Sequence, residues 1–212
     1  HPSGTTISIA RVKRRPLIIG AQLLDQKNMM EIGEQPDSSR PKQFFEVQIK
    51  ESYSPEDRDA LAGGEKDPSQ TSAYQLEWRP TEKHVFVFEG GRPVCHVGFV
   101  RQTVEVQGNP VSVVGFGGVL TRHGCRGRGY CRIAIEAAEV FALNQLHVNF
   151  ILLFCRPVLL SFYEHLGWTK LSSPTWAEQA QGTVLLPIVM MVKCLSVKKW
   201  PNGEVRLGSR PW

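Results

Sequence analysis

The apolar and polar positions divide the chain into a strand-rich stretch followed by a helix–strand alternation. Three runs rich in β-branched and aromatic residues cover residues 84–88, 93–106 and 111–121. Between them stand Glu89-Gly90-Gly91-Arg92 and Gln107-Gly108-Asn109-Pro110, which have the composition of tight hairpin turns. The runs therefore predict an antiparallel meander. Upstream, residues 44–49 have strand character. Ser54-Pro55-Glu56-Asp57 then supplies an N-cap, a first-turn proline and an acid three residues after the cap. A short helix is expected to about Leu61, stopping at Gly63-Gly64, with a polar loop over 67–72.

After the third run the period changes. Over residues 130–146, Ile133, Ala134, Ala137, Val140, Phe141 and Ala142 recur at helical spacing, with Arg132, Glu136 and Glu139 opposite. Residues 148–154 are a continuous apolar run short enough for a buried strand. Residues 157–166 read as a helix ended by Gly167, and 184–192 as a final strand. The order predicts one mixed α/β sheet, a meander followed by β-α-β-α-β, with no internal repeat. Residues 1–43 differ in character. They hold a basic knot, Arg11-Val12-Lys13-Arg14-Arg15, and a Ser/Pro/Lys stretch over 36–42. They read as an N-terminal extension to a domain spanning 44–212.

Composition narrows the function classes. At 212 residues, with 42% apolar and 21% charged, the chain is of globular type and suits one large domain. No run approaches the ~20 apolar residues of a membrane helix, and none at the N-terminus reads as a signal peptide. A net charge of +5 is too weak to imply nucleic-acid binding but is compatible with an anionic cofactor. Five cysteines, none two residues apart, argue against a disulfide framework or a four-cysteine zinc site, and a reducing cytoplasm is expected. The histidines lack metal-ligand spacing, so no metal is expected.

Chemistry concentrates between the third strand and the long helix, in Val119-Leu120-Thr121-Arg122-His123-Gly124-Cys125-Arg126-Gly127-Arg128-Gly129-Tyr130-Cys131. Gly127 and Gly129 leave backbone N–H groups uncovered where the chain enters the helix, and the helix dipole makes that turn an anion site. Arg126 and Arg128 add positive charge, which suits a pyrophosphate. The turn lacks the Gly-Lys-Ser/Thr ending of a P-loop and does not follow the first strand of a Rossmann unit.

These residues resemble the pyrophosphate signature of the GNAT N-acetyltransferase superfamily, Gln/Arg-x-x-Gly-x-Gly/Ala, with Arg126, Gly129 and Cys131 at its fixed positions. Cys131 departs from the family's Gly or Ala. A second segment, Phe162-Tyr163-Glu164-His165-Leu166-Gly167-Trp168, resembles the family's Y-x-x-x-G-F/W stretch. The resemblance implies the GNAT acyl-CoA N-acyltransferase fold with a central sheet splayed at a bulge, and acetyl-CoA as donor. Pantetheine would pair with the backbone of Val119, Leu120 and Thr121. The diphosphate would rest on Arg126, Gly127, Arg128, Gly129, Tyr130 and Cys131. An acceptor amine would attack directly, with Tyr163 protonating the coenzyme A thiolate; a plain packing role for Tyr163 is the alternative.

Within the superfamily, Gly182-Thr183-Val184-Leu185-Leu186-Pro187 and Trp200-Pro201-Asn202-Gly203-Glu204 are similar to segments of aminoglycoside 2′-N-acetyltransferases and nodulation-type N-acyltransferases. The aminoglycoside enzymes carry a strand glutamate where this chain has Gly117, so either solvent or another acid takes the part of general base; Glu77, Glu105 and Glu204 are candidates. The expected partner is a small-molecule amine, aminoglycoside-like or polyamine-like, met by Trp78, Trp200, Glu204 and Trp212. A homodimer through the C-terminal strand is an expectation of the resemblance. Another acyl-CoA donor, or a non-catalytic coenzyme A-binding module, are the competing readings.

Overall fold

A computed structural model describes residues 45–212 and the backbone of Thr5–Ile7. In chain order the elements are β1 (Thr5–Ile7), β2 (Glu46–Lys50), α1 (Pro55–Ala62), β3 (Lys83–Glu89), β4 (Arg92–Val106) and β5 (Asn109–Thr121). They continue with α2 (Tyr130–Asn144), β6 (Phe150–Cys155), α3 (Leu160–His165), β7 (Thr169–Lys170), β8 (Thr175–Gln179), β9 (Gly182–Leu185), β10 (Val189–Cys194) and β11 (Val205–Arg206). The main sheet runs β1-β2-β3-β4-β5-β6-β10-β7, and β11 bridges β4 to the β8–β9 hairpin. Pairing is antiparallel except for β5–β6 and β8–β11.

Local chemistry sets the boundaries. The Ser54 side chain accepts the Asp57 N–H, and Gly63 ends α1 in the left-handed region at φ 62°. Gly90 and Gly91 (φ 56° and 74°) and Gln107 and Gly108 (φ 50° and 78°) carry the two hairpins, with positive φ at both central residues of each. Strand alternation then sends side chains to two cores. Val85, Val97, Phe99, Val114, Phe116, Ile151 and Leu153 meet α2 on one face. Val100, Val113, Leu152 and Val192 meet Ala177, Val205, Leu207 and Trp212 on the other. With both faces covered, β3 and β4 carry near-continuous apolar runs.

Four expectations change. The buried stripe of α2 is Tyr130, Ala134, Ile135, Ala138 and Ala142, while Ile133, Ala137 and Phe141 flank it and Val140 is only half-buried. Small alanines at its centre let the helix lie close on the sheet. The segment 184–192 is two strands and not one, because Pro187 has no N–H for a ladder; β9 pairs with β8, and β10 with β6. The segment 157–166 begins as a 3-10 turn, Pro157–Leu159, before α3. Within 1–43, Thr5–Ile7 adds an antiparallel edge strand to β2; the basic knot and the Ser/Pro/Lys stretch lie outside the described residues, as does Phe44.

Candidate active site

β5 and β6 are paired only where Val114–Phe116 face Ile151–Leu153. Beyond that point β5 stays with β4 as far as Thr121, and β6 stays with β10 as far as Cys155, so a wedge opens inside the sheet. The local cause is a bulge. The β4–β5 register shifts between His96 and Gly98, and Gly118 sits at φ 58°.

A buried imidazole pair holds this bulge. His96 Nδ1 lies 2.8 Å from the Gly118 carbonyl oxygen, which can only accept, so Nδ1 carries the hydrogen. His96 Nε2 is then the acceptor, and His84 Nδ1–H donates to it at 3.0 Å. Burial depresses the pKa of His96 to about 3 and also lowers that of His84, so both rings are neutral at pH 7. Tyr53 stacks on His96 with ring centroids 4.2 Å apart.

The wedge forms one wall of a cleft of about 420 Å³. Gly117, Gly118, Val119 and Leu120 supply its β5 side; Phe154, Cys155 and Arg156 supply its β6 side. Tyr163 of α3 lines it while remaining 4% exposed. Its phenol is raised well above the usual tyrosine range, first by burial and then by the thiols of Cys131, Cys155 and Cys95. Tyr163 therefore keeps its proton across the physiological range.

Trp78 and Trp212 also line the cleft. Trp212 arrives from the far end of the chain and explains two glycines. A Cβ on Gly115 would stand 1.9 Å from the Trp212 indole, and one on Gly117 would stand 2.9 Å from its backbone carbonyl carbon. No side chain fits at 117, so the strand glutamate of the aminoglycoside enzymes has no room here.

Trp200 and Glu204 are not part of this cleft. Trp200 packs edge-on against Phe150 at 5.2 Å in the second core. Glu204 binds Arg206 at 2.9 Å, and its carbonyl accepts the Gln107 N–H at the β4–β5 hairpin. That hairpin is at the opposite end of β5 from the wedge, roughly 25–30 Å away at ~3.3 Å per residue. Of the other acids considered, Glu77 pairs with Arg210 at 2.6 Å, and neither it nor Glu105 lines the cleft.

The turn into α2 has the form of an anion cradle. Gly127 and Gly129 stand at φ 76° and 85°, and a Cβ on either would meet nothing within 4 Å. Gly129 is the N-cap and no side chain caps the helix, so a 15-residue helix presents its positive end to open space. A diphosphate fits these features. The arginines divide: Arg126 Nε donates to the Thr121 carbonyl at 3.3 Å, whereas Arg128 makes two bonds to Glu89, at 3.0 and 2.8 Å. Glu89 also accepts the Tyr130 hydroxyl at 2.6 Å. Arg128 and Tyr130 thus brace the turn through a shared carboxylate. Beneath it, the neighbouring Cys95 and then burial raise the pKa of the Cys131 thiol, while Cys95 Sγ lies 3.2 Å from Thr121 Oγ1.

Sequence reasoning missed the bulge-holding role of His84 and His96 and missed Arg156 at the cleft; it pointed to the first helix and its loop, residues 55–78, for acceptor recognition without singling out Arg58 and Lys66 there. A histidine two residues before a strand glycine carries no recognisable signal, and the cations come from separate elements.

A wedge between parallel strands with an uncapped helix start beside it defines an acyl-coenzyme A-binding fold. Residues 44–171 match the family described as Acetyltransferase (GNAT) domain, and the chain belongs to that family of N-acetyltransferases, which use coenzyme A thioesters. No curated protein matches it. Among solved structures it is similar to the GNAT family N-acetyltransferase YhbS from Escherichia coli in complex with CoA. That match has 17% identity and a TM-score of 0.55, covering 80% of this chain and 92% of the other. It is also similar to the ribosomal-protein-S18-alanine N-acetyltransferase from Escherichia coli. There the identity is 12% and the TM-score 0.45, over 74% of this chain and 98% of that one.

Proposed function

We propose that the domain transfers an acetyl group from acetyl-CoA to the primary amine of a small molecule, by direct attack in the wedge. Aminoglycosides and polyamines are acceptors of this class suggested by the sequence resemblance. The observation that carries the reading is the meeting, in one cleft, of the end of β5 that β6 leaves unpaired with the protonated phenol of Tyr163.

Bound acetyl-CoA would supply a thioester whose carbonyl carbon an amine attacks and whose sulfur leaves. Val119, Leu120 and Thr121 offer main-chain groups on the β5 side, which β6 does not pair. The uncapped start of α2, with Gly127, Gly129 and Cys131 at its centre, holds the diphosphate, and Arg126 adds charge. Arg128 and Tyr130 keep that turn in shape through Glu89. Tyr163 holds a proton at its hydroxyl oxygen and donates it toward the departing sulfur. Because burial disfavours the phenolate, the proton must be restored as the acceptor nitrogen sheds its own. Trp78 and Trp212 wall the acceptor side and exclude water.

Replacing Tyr163 with Phe tests this assignment. The variant keeps the ring packed against Trp168 (centroids 6.1 Å apart) and loses only the hydroxyl. Turnover, read as free-thiol release, should fall about 10²–10⁴-fold, with coenzyme A affinity within about twofold of the parent. An unchanged turnover number would assign Tyr163 to packing alone.

A further inference from the structure

The cleft's charge bears on what it accepts. Four cationic side chains line it, Arg58, Lys66, Arg79 and Arg156, against one acidic side chain, Asp67. Asp67 is already committed. Its two carboxylate oxygens accept the N–H groups of Thr71 and Ser72, at 3.2 and 2.9 Å, and the Ser72 hydroxyl, together with those N–H groups, holds its pKa below the ordinary range. Arg79 is committed too, to Glu82 at 2.7 Å and Gln102 at 2.8 Å. Among the described residues Arg58, Lys66 and Arg156 have no carboxylate partner. Of the aspartates flanking Arg58, Asp57 is bound by Lys50 and Asp59 does not line the cleft.

Arg156 carries the strongest sign. It follows directly on β6 and lines the cleft, its Nη1 donates to Gln70, and its Nε has no acceptor among the described residues. A buried guanidinium N–H is ordinarily satisfied, and a carboxylate or phosphate can satisfy it in a two-point contact. No residue of the 122–131 turn lines this cleft, so these cations are separate from the diphosphate cradle.

We infer that the acceptor is an anionic amine, a small molecule carrying a carboxylate or phosphate besides the amino group, with Arg156 and Lys66 taking the anion. This inference rests on the acetyltransferase reading and narrows its acceptor. Polycations such as aminoglycosides and polyamines would meet like charge here, whereas the aromatic wall of Trp78, Phe154 and Trp212 accommodates the uncharged body of either kind.

The test uses the full chain with acetyl-CoA and matched acceptors: amino acids against their amides, phosphoethanolamine against ethanolamine, and spermidine and an amino-sugar as polycations. Free-thiol release gives kcat/KM, and calorimetric titration into the coenzyme A complex gives acceptor binding independently of turnover. The anionic member of a pair should be favoured about 10–100-fold; the carboxylate and phosphate arms identify which anion is read. Arg156→Gln, and separately the exposed Lys66→Gln, should raise KM for that member without changing coenzyme A affinity. Anion binding that is lost in Arg156→Gln, without any turnover in the parent, would uphold the inference and overturn the catalytic reading. Equal use of acid and amide, preference for spermidine or the amino-sugar, or no anionic-amine binding would each overturn the inference itself.

Discussion

The imidazole pair beneath the bulge makes a pH-dependent prediction that can be worked through. His96 titrates near 6.5 in an unfolded chain and near 3 when folded. Its folded pKa is depressed, so its contribution to stability is full above pH 6.5 and is lost as pH falls toward 3, because the unfolded state takes up the proton first. Between pH 6.5 and 5.0 the single group should remove about 1.5 kcal/mol. That lowers Tm by about 3–6 °C for a domain of this size. His84, also depressed by burial although nearby Glu51 opposes the shift, acts in the same direction. His96→Phe retains a ring for Tyr53 to stack on but removes the donor to Gly118. At pH 7 it should destabilise the fold by about 1–3 kcal/mol, the range for a buried carbonyl left without its donor. Between pH 7 and 5.0 the gap between variant and parent should then narrow by about 2 kcal/mol. Urea unfolding at the two pH values measures this directly. An equal acid dependence in both proteins would mean that His96 is not the titrating group, and the tautomer assignment would fall with it.

Other predictions follow from single contacts. Gly115→Ala brings a Cβ against the Trp212 indole and should cost about 1–3 kcal/mol in thermal unfolding; fluorescence of the displaced tryptophan should report the same change, and a neutral result would mean that the tail does not rest there. Gly129→Ala forces a side chain into the left-handed region at the α2 N-cap, with a loss of about 1–2 kcal/mol in stability and weaker coenzyme A binding by calorimetry. Glu89→Gln weakens the brace on Arg128 and Tyr130, so coenzyme A affinity should change by less than tenfold; abolished binding would show the brace to be part of the cradle itself.

Much of the fold is legible along the chain, for reasons that individual residues make plain. Ser54, Pro55 and Gly63 mark both ends of α1, and paired turn residues mark each hairpin, because these signals act within a few residues of themselves. The β9–β10 break is written just as locally, in Pro187, but the apolar run around it suggests one continuous strand. In β8, Thr175, Ala177 and Gln179 point inward and Trp176 and Glu178 outward, an alternation visible only once a partner strand is known. The cradle at Gly127 and Gly129 is contiguous and therefore readable. The acceptor side is not. Trp78, Arg156 and Trp212 meet through the topology, whereas Trp200 and Glu204 sit near Trp212 in sequence and outside the cleft.

The tryptophan seated over Gly115 and Gly117 ties two distant stretches of the chain into one heritable unit. Bulk at Gly115 and an indole at position 212 exclude each other, and bulk at Gly117 excludes the main chain that carries that indole, so neither stretch can drift without the other. A β5 of this kind grafted into a scaffold lacking the tail would leave a hole in place of a wall. Divergent copies should therefore keep or discard the pair together.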